Sequence, residues 1–572
     1  MHINRVKVRN FRNIDNIDLN LQPGSVIVGE NQSGKSNFLH AIRLILDSSL
    51  SYNDLQLSRE DFWDGLSDGT PDWDPMANRE IIEVSIEIVE FEDDKQLLAA
   101  LSSALVAEDP PKAQLTYRFG PVDTGDEDPA DIPEYQGLVL GAGDQPVSRK
   151  LRRHLHLQFL PALRDVESAI RNWRSSPLRE LLEVAARSLS EEDLDNVKQA
   201  IRDANSQVNQ LEQITDLGHK ITERLIAMIG ENQAIETELA VAPEDPMRLI
   251  RAVRLYIDGD AHRPLSSASL GTLNVLYLAL LELGLDSRLA DSHIAHVVMA
   301  IEEPEAHLHP HLQRVIFRRK FDTNVAPRTI FVTTQSPHIA SVADPRSLIV
   351  LRSGERATVA ATAVDANLTE SEWHDMARYL DATRAELVFG RRVIFVEGFA
   401  EQVLVPVFAR ALGMDLDKLG ISVCAIHGTH YSSYVRFCEA LKIPWSVMTD
   451  GDVNNSGERA GDRRAAALLE ILGASGADPA ECGVFVGETT LEYDIITADS
   501  ANAVVCNETL AELATGSSKH TIASWGNQAP SFDDLMAMIK AVGGKGRYAQ
   551  RLCLCEVQPP QYVADALRYL VA

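Results

Sequence analysis

Two groups of residues in this 572-residue chain have the types and spacing that suit phosphate chemistry. The first is Gly29-Glu30-Asn31-Gln32-Ser33-Gly34-Lys35-Ser36, the glycine-framed spacing of a Walker A loop. Gly29 and Gly34 let the backbone around Asn31 and Ser33 turn its N–H groups toward phosphate oxygens, and a following helix adds its positive end. Lys35 is expected to reach the β- and γ-phosphates of ATP, and the Ser36 hydroxyl to ligate Mg²⁺. The second group is Glu397, Glu401, Asp450 and Asp452. Carboxylates converging on one edge repel unless cations are present, and hard oxygen donors favour Mg²⁺ or Mn²⁺. Two such ions about 4 Å apart activate a water and stabilise the leaving oxygen of a phosphodiester. An ATPase coupled to a metal-dependent nuclease is the joint expectation.

The surrounding residues supply the elements these groups need. Ile3 to Val8 alternates apolar and polar as a half-buried strand does, and Val26-Ile27-Val28 is a short apolar strand running into Gly29. After Ser36, Phe38, Leu39, Ile42, Leu44, Ile45 and Leu46 recur at helical spacing. Far downstream, Ile294 to Ile301 reads as a buried strand ending in Glu302-Glu303-Pro304-Glu305. There Glu302 is expected to hold the Mg²⁺ water shell and Glu303 to polarise the attacking water; an acidic turn capped by Pro304 is the plainer alternative. Leu265 to Thr272, with Ser269 and Gly271, runs into an apolar helix from Leu273 to Leu285. It can present donors to a γ-phosphate or serve as an N-cap and nothing more. His307, His309 and His311 alternate, and a connecting loop is expected rather than a zinc site.

In the last third, Arg392 to Val396 reads as a strand ending in Glu397-Gly398, with an amphipathic helix from about Ala400 to Leu412. Glu397 then lies at a carboxyl end of a strand, where open α/β sheets put ligands, and Glu401 sits in the first helical turn. Ile421 to Ile426 is a second strand, and Trp445 to Met448 a third that delivers Asp450-Gly451-Asp452. In extended chain those two aspartates point to one side.

Composition narrows the class. The apolar share of 45% is ordinary for a globular protein, and the length suggests two or three domains. Met1 to Asn13 lacks a signal-peptide run, and Leu273 to Leu285, interrupted by Glu282, is read as too short to span a membrane. No membrane association and a cytoplasmic location are expected. The six cysteines all lie between Cys424 and Cys555 without zinc-ribbon spacing, which suggests buried thiols. A net charge of −29 argues against nonspecific coating of DNA, although Arg149 to Arg153 and Lys540 to Arg551 are short basic stretches that can track phosphates.

The N-terminal arrangement resembles the ABC-type ATPases of the SMC and RecF kind, through Arg9-Asn10-Phe11-Arg12, the Walker A loop and Glu302-Glu303-Pro304. In that family the signature serine of one subunit completes the other's ATP site, so the resemblance implies a homodimer or higher homo-oligomer. The segment Pro177 to Gly230 looks like its inserted helical segment. The signature departs from the usual Leu-Ser-Gly-Gly-Gln, and Gln335 stands where many relatives have a histidine at the γ-phosphate. Glutamine donates a hydrogen bond but carries no proton charge, so ATP binding is a safer expectation than brisk hydrolysis.

Glu397-Gly398, a helix, a second strand and then Asp-x-Asp after a third resembles the TOPRIM fold. Glu488 to Asp494 and Gly544 to Gln550 look like the late motifs of OLD-family nucleases, closest to the class 2 type that includes the Gabija nuclease subunit. This resemblance implies that Glu492 joins the metal ligands, with Glu488 a further candidate, and that Lys545 stabilises charge on the scissile phosphate. The expected class is α/β: an SMC/RecF-like ATPase domain with an inserted helical dimerisation segment, then a Rossmann-like TOPRIM domain. Its boundaries are read as 1–165, 166–250, 251–385 and 386–572. The expected activity is ATP-regulated, metal-dependent DNA cleavage in genome defence or DNA processing, with a helicase-like or other defence partner. A non-nucleolytic DNA clamp is the alternative, and the intact carboxylate set counts against it. A topoisomerase or primase lacks its zinc-ribbon spacing and room for a strand-passage domain.

Overall fold

The computed structural model describes residues 1–572 apart from 71, 123–132, 163–165, 173–175, 230–247, 249, 252, 258–262, 290–293, 322–327, 382–383 and 454–456. The chain forms two compact units. The first comprises Met1–Pro161, Val298–Glu305 and Pro310–Ala572, and the second Ala162–Val297 with Ala306–His309.

In the first unit, Val26, Ile27 and Val28 are wholly buried within the strand Gly24–Gly29, as suits a strand covered on both faces. It lies inside a six-stranded sheet with the order Thr358–Thr362, Leu348–Ser353, Gly24–Gly29, Arg328–Thr334, His296–Glu302, Leu155–Leu160. Arg328–Thr334 and Leu348–Ser353 run parallel to Gly24–Gly29, so their carboxyl ends share an edge with the loop that follows Gly29. A second, antiparallel sheet holds Ile14–Asn20, His2–Phe11, Ile82–Val89, Pro111–Pro121 and Leu105–Glu108, with Tyr135–Leu140 also on Pro111–Pro121. In His2–Phe11 the buried Val6 and Val8 alternate with exposed Lys7 and Arg9, the one-sided pattern read from the sequence.

The C-terminal part of this unit is a four-stranded parallel sheet with the order Ile421–Ala425, Arg392–Val396, Trp445–Thr449, Val484–Val486. Its inner strands are buried almost throughout, and every carboxyl end opens on one edge. Val26, Val28, Leu348 and Val350 of the first sheet share one core with Val393, Phe395 and Val447 of this one and with Tyr431 and Phe437 at the helix Ser432–Ala440. Two halves with different sequence signatures therefore fold around common apolar contacts. The six thiols are unpaired. Cys424, Cys438 and Cys506 are buried as expected, whereas Cys482, Cys553 and Cys555 are only partly so.

The second unit is mainly helical where it is described, with one antiparallel pair of short strands, Tyr256–Ile257 and Arg263–Pro264. Pro177–Arg187, Glu191–Asn209 and Glu212–Ile229 fall in the expected insertion, whose residues 230–247 lie outside the described ones. Leu265, Leu273 and Leu280 form its core with Val166 and Ile170. The apolar helix is longer than the sequence suggested. It spans Leu270–Leu289, 20 residues, because Glu282, Asp286 and Arg288 are accommodated rather than terminating it. Arg288 reaches Glu180 at 2.7 Å within the same unit. The reading of this helix as too short to cross a membrane is thus corrected: its length and composition suffice.

Candidate functional site

The loop after Gly29 is built as its sequence requires. Gly34 adopts φ 94° at the N-cap of the helix Lys35–Leu46, a conformation a side chain strains to adopt. Lys35 is buried and its Nζ donates to the carbonyls of Gly29 and Glu30 at 2.8 and 2.9 Å. Burial lowers its pKa, while Glu303, Glu305 and Glu30 pull the other way. Ser36 is exposed beside it. The strand His296–Glu302 delivers Glu302 and Glu303 to the same edge, where the Glu303 N–H donates to the Thr333 carbonyl at 2.9 Å. Gln335 ties these parts together: its Nε2 donates to Asn31 Oδ1 at 2.7 Å and to Glu303 Oε1 at 2.5 Å. Its backbone N–H donates to Glu305, whose pKa burial raises.

Ser269 and Gly271 belong to the second unit. There the Ser269 Oγ accepts the Thr272 N–H at 3.2 Å, the N-cap arrangement named as the plainer reading. Among the described residues no three His, Cys, Asp or Glu side chains, those of His307, His309 and His311 included, are gathered into a ready metal-ligand group.

At the edge of the C-terminal sheet, Glu397 follows the strand Arg392–Val396 and Glu401 lies in the first turn of the helix Phe399–Ala411. Glu401 Oε2 accepts the Gly398 N–H at 3.0 Å, which holds the buried carboxylate toward the cleft. Asp450 follows Trp445–Thr449, and its Oδ1 accepts the Leu491 N–H at 3.0 Å. The helix Leu491–Ala498 brings in Glu492, which is 0% exposed. From the helix Lys545–Leu552, Lys545 Nζ lies 2.9 Å from Glu492 Oε2 and 3.8 Å from Asp450 Oδ2. Glu397, Glu401, Asp450, Glu492 and Lys545 thus lie at one sheet edge within electrostatic reach of one another.

Two expectations change. The strand stops at Thr449 and Asp452 has φ 50°, so the extended backbone assumed for Asp450 and Asp452 is not present. Asp450 is buried and Asp452 exposed. Glu488 is exposed; it lines a cavity with Arg459, Asp462, Asp494 and Tyr562, away from Lys545. Its backbone N–H donates to Asp494 Oδ2 at 3.0 Å, and that aspartate also binds the Thr489 N–H and hydroxyl. Asp494 therefore fixes the turn that presents Glu492, a role the sequence reading missed.

Ionisation of the buried Asp450 and Glu401 is disfavoured. Burial first, then the Glu397 and Glu401 charges, push Asp450 up to about 9 against the pull of Lys545. Burial likewise raises Glu401, with Glu492 and Glu397 adding to it. Neither carboxylate oxygen of Glu492 has a hydrogen-bond donor at acceptable angle, although the Lys545 ammonium is at ion-pair distance. Burying a carboxylate in this way is costly unless a cation shares it. The residues therefore fit a divalent cation by chemistry, and as placed no three of them among the described residues form a ready ligand group.

The two sites are also joined. Arg391, one residue before the strand that ends in Glu397, makes a two-pronged ion pair with Glu30 of the phosphate loop, at 2.7 and 2.9 Å. Arg391 lowers the Glu30 pKa by that hydrogen bonding. Arg352 holds the carbonyls of Gly390 and Arg391 at 2.7 and 3.1 Å.

Comparison with known proteins bears on both halves. Residues 388–452 match the family described as overcoming lysogenization defect protein-like, TOPRIM domain. Residues 25–341 match the AAA domain family described as putative AbiEii toxin, Type IV TA system. The chain is 26% identical over 472 residues to the OLD nuclease of Thermus scotoductus, covering 80% of this chain and 83% of that protein. It is 22% identical over 488 residues to endonuclease GajA of Bacillus cereus strain VD045, covering 83% and 78%. Of solved structures, the C-terminal region of the Burkholderia pseudomallei OLD protein is 31% identical, covering 32% of this chain and 98% of that one, with a TM-score of 0.28.

Proposed function

The chain belongs to the OLD family, with an AAA-type ATPase domain and an OLD-like TOPRIM domain, and on that premise we propose that it is an ATP-regulated, divalent-metal-dependent DNA endonuclease. The observation that carries this reading is the buried, donor-poor Glu492 beside Asp450, Glu401 and Lys545 at the carboxyl edge of a parallel sheet. Glu397, Glu401, Asp450, Asp452 and Glu492 would hold Mg²⁺ or Mn²⁺, two ions in this reading. Such ions, when bound, supply Lewis acidity and a water of lowered pKa. The Lys545 ammonium lies where it can neutralise a phosphate oxygen, and its pKa stays raised because Glu492, Asp450 and Glu401 outweigh its burial.

At the other site the loop's N–H groups, Lys35 and Ser36 bind ATP, and Glu302 and Glu303 serve its Mg²⁺ and attacking water. Gln335 holds Glu303 and Asn31 in place without supplying a charge. In this reading the protein is cytoplasmic, and it works as a homodimer or larger assembly in which Ser269 and Gly271 of one copy face the ATP of another. A helicase-like or other defence protein is its partner, and foreign DNA its target.

The test is cleavage of supercoiled plasmid by the full chain with Mg²⁺ or Mn²⁺, with and without ATP, and with a chelator. Nicked or linear product that requires metal is expected. A protein that binds both Mn²⁺ and ATP yet leaves DNA intact in every condition is a clamp, and the nuclease reading then falls.

A further inference from the structure

Arg464 lies among the carboxylates, a position that no motif in the sequence announced. The helix Ala460–Ile471 starts directly below the tip of the strand Trp445–Thr449. Its approach depends on Gly461, where a Cβ would stand 2.4 Å from the Asp450 carbonyl oxygen and 2.5 Å from Val486 Cγ1. Backbone bonds from Gly461 N to the Gly451 carbonyl, 3.0 Å, and from Ala460 N to the Asp452 carbonyl, 3.3 Å, lock the contact. One turn further on, the Arg464 side chain turns back toward the strand ends and is 17% exposed.

The guanidinium joins both strand tips. Its Nε donates to Thr449 Oγ1 at 2.8 Å, and its Nη2 reaches the Asp450 carbonyl at 2.6 Å, Asp452 Oδ2 at 3.0 Å and Glu397 Oε1 at 3.2 Å. Thr449 Oγ1 in turn donates to Glu397 Oε1 at 2.6 Å, and the Asp450 N–H donates to the same oxygen at 2.9 Å. Glu397 Oε1 is therefore saturated by donors that lie behind it, which fixes the carboxylate plane and leaves Oε2 to turn toward the cleft. Asp452, whose φ of 50° takes it off the strand, is drawn back to the same cluster by Arg464.

We propose that Arg464 is a positioning residue of the metal site, holding Glu397 and Asp452 ready for a divalent cation. The inference rests on the metal-site reading above. Its charge matters as well as its reach. With Glu397, Glu401, Asp450, Asp452 and Glu492 ionised and a phosphodiester bound, two divalent cations balance the negative charge only when Lys545 and Arg464 are counted with them. The guanidinium divides these contacts between two nitrogens, and a lysine ammonium has no second nitrogen to hold Thr449 while it reaches the Asp450 carbonyl and the two carboxylates.

The test titrates chelator-stripped full-length protein with Mn²⁺ by calorimetry and records melting with and without Mn²⁺. Arg464→Met is expected to raise the Mn²⁺ dissociation constant by about 10-fold or more, the scale of losing a group that orients metal ligands. Arg464→Lys is expected to recover only a minor part of that loss. The Mn²⁺ concentration that supports half-maximal plasmid cleavage should rise in step. A purely structural arginine gives another pattern: Arg464→Met lowers the melting temperature equally with and without Mn²⁺, and its Mn²⁺ affinity stays at the wild-type value. That result, or wild-type affinity in Arg464→Lys where the Met variant does not fold, overturns the proposal. If wild-type protein itself takes up no Mn²⁺, the metal-site reading has failed, a distinct outcome seen in the same experiment.

Discussion

Asp450→Asn is expected to lower metal-dependent DNA cleavage by at least about 10²–10³-fold, the scale of removing a group that stabilises transition-state charge. The same substitution should leave the chelated protein at least as stable as wild type at neutral pH. The sign follows from the Asp450 surroundings. Burial and the neighbouring Glu397 and Glu401 raise its folded pKa to about 9, whereas the unfolded chain ionises near the ordinary 3.8. Stability from this group is thus fully present below the unfolded value and is lost as pH rises toward about 9. Asparagine removes that loss, since it carries no proton to give up and keeps an oxygen to accept the Leu491 N–H. Melting in chelator across pH 4–9 checks the claim, with the wild-type curve falling relative to the variant as pH rises. With Mn²⁺ the order should reverse, because only the wild type gains from cation binding. A variant that unfolds in chelator at neutral pH, or that cleaves DNA normally with metal, contradicts this account of the site.

These residues were legible to different degrees, and the differences have physical causes. Local order carries its own signal. Gly34 before Lys35, the helical recurrence from Phe38 to Leu46, and Glu401 four residues after Glu397 each specify a turn or helix that their neighbours complete. Strand ends were legible because fully apolar runs such as Val26–Val28 and Val393–Val396 stop at polar residues. What joins the elements was not legible. Arg464 meets Glu397 across 67 positions and Arg391 meets Glu30 across 361, and a lone arginine in either place reads as a solvated side chain. An apolar strand also does not name its partner, so the core that Val26 and Val350 share with Phe395 and Tyr431 had no sequence signature. Period-two reasoning misled at Asp452 because it assumed extended backbone past Thr449, where the Asp452 N–H instead bonds the Thr489 carbonyl at 3.0 Å. Glu488 was placed by motif resemblance alone; it is exposed, next to the turn that Asp494 holds, and it lines the neighbouring cavity.

Lys35→Ala is expected to weaken ATP binding by about 10²-fold, within the range for truncating a buried, hydrogen-bonded charge. Equilibrium binding of a fluorescent ATP analogue measures it. In the structure Lys35 spends its donors on the Gly29 and Glu30 carbonyls, so nucleotide entry must draw it away from the residue whose carboxylate Arg391 holds. That exchange connects the two sites. Arg391 precedes a strand of five residues, Arg392–Val396, which Glu397 directly follows, and Arg352 clamps the backbone where the strand begins. The ion pair itself is largely exposed, at 61% and 44%, so its contribution to stability should stay below about 1 kcal/mol. Its effect should therefore appear in coupling rather than in melting. Whichever way ATP changes plasmid cleavage in the wild type, Lys35→Ala should abolish the difference, and Arg391→Met should shrink it while leaving the melting temperature near the wild-type value. Exchanging the charges, Glu30→Arg with Arg391→Glu, should restore part of the response that either change removes alone. An ATP response of full size in Arg391→Met would show that the nucleotide signal reaches Glu397 by another route, through the shared core rather than through this pair.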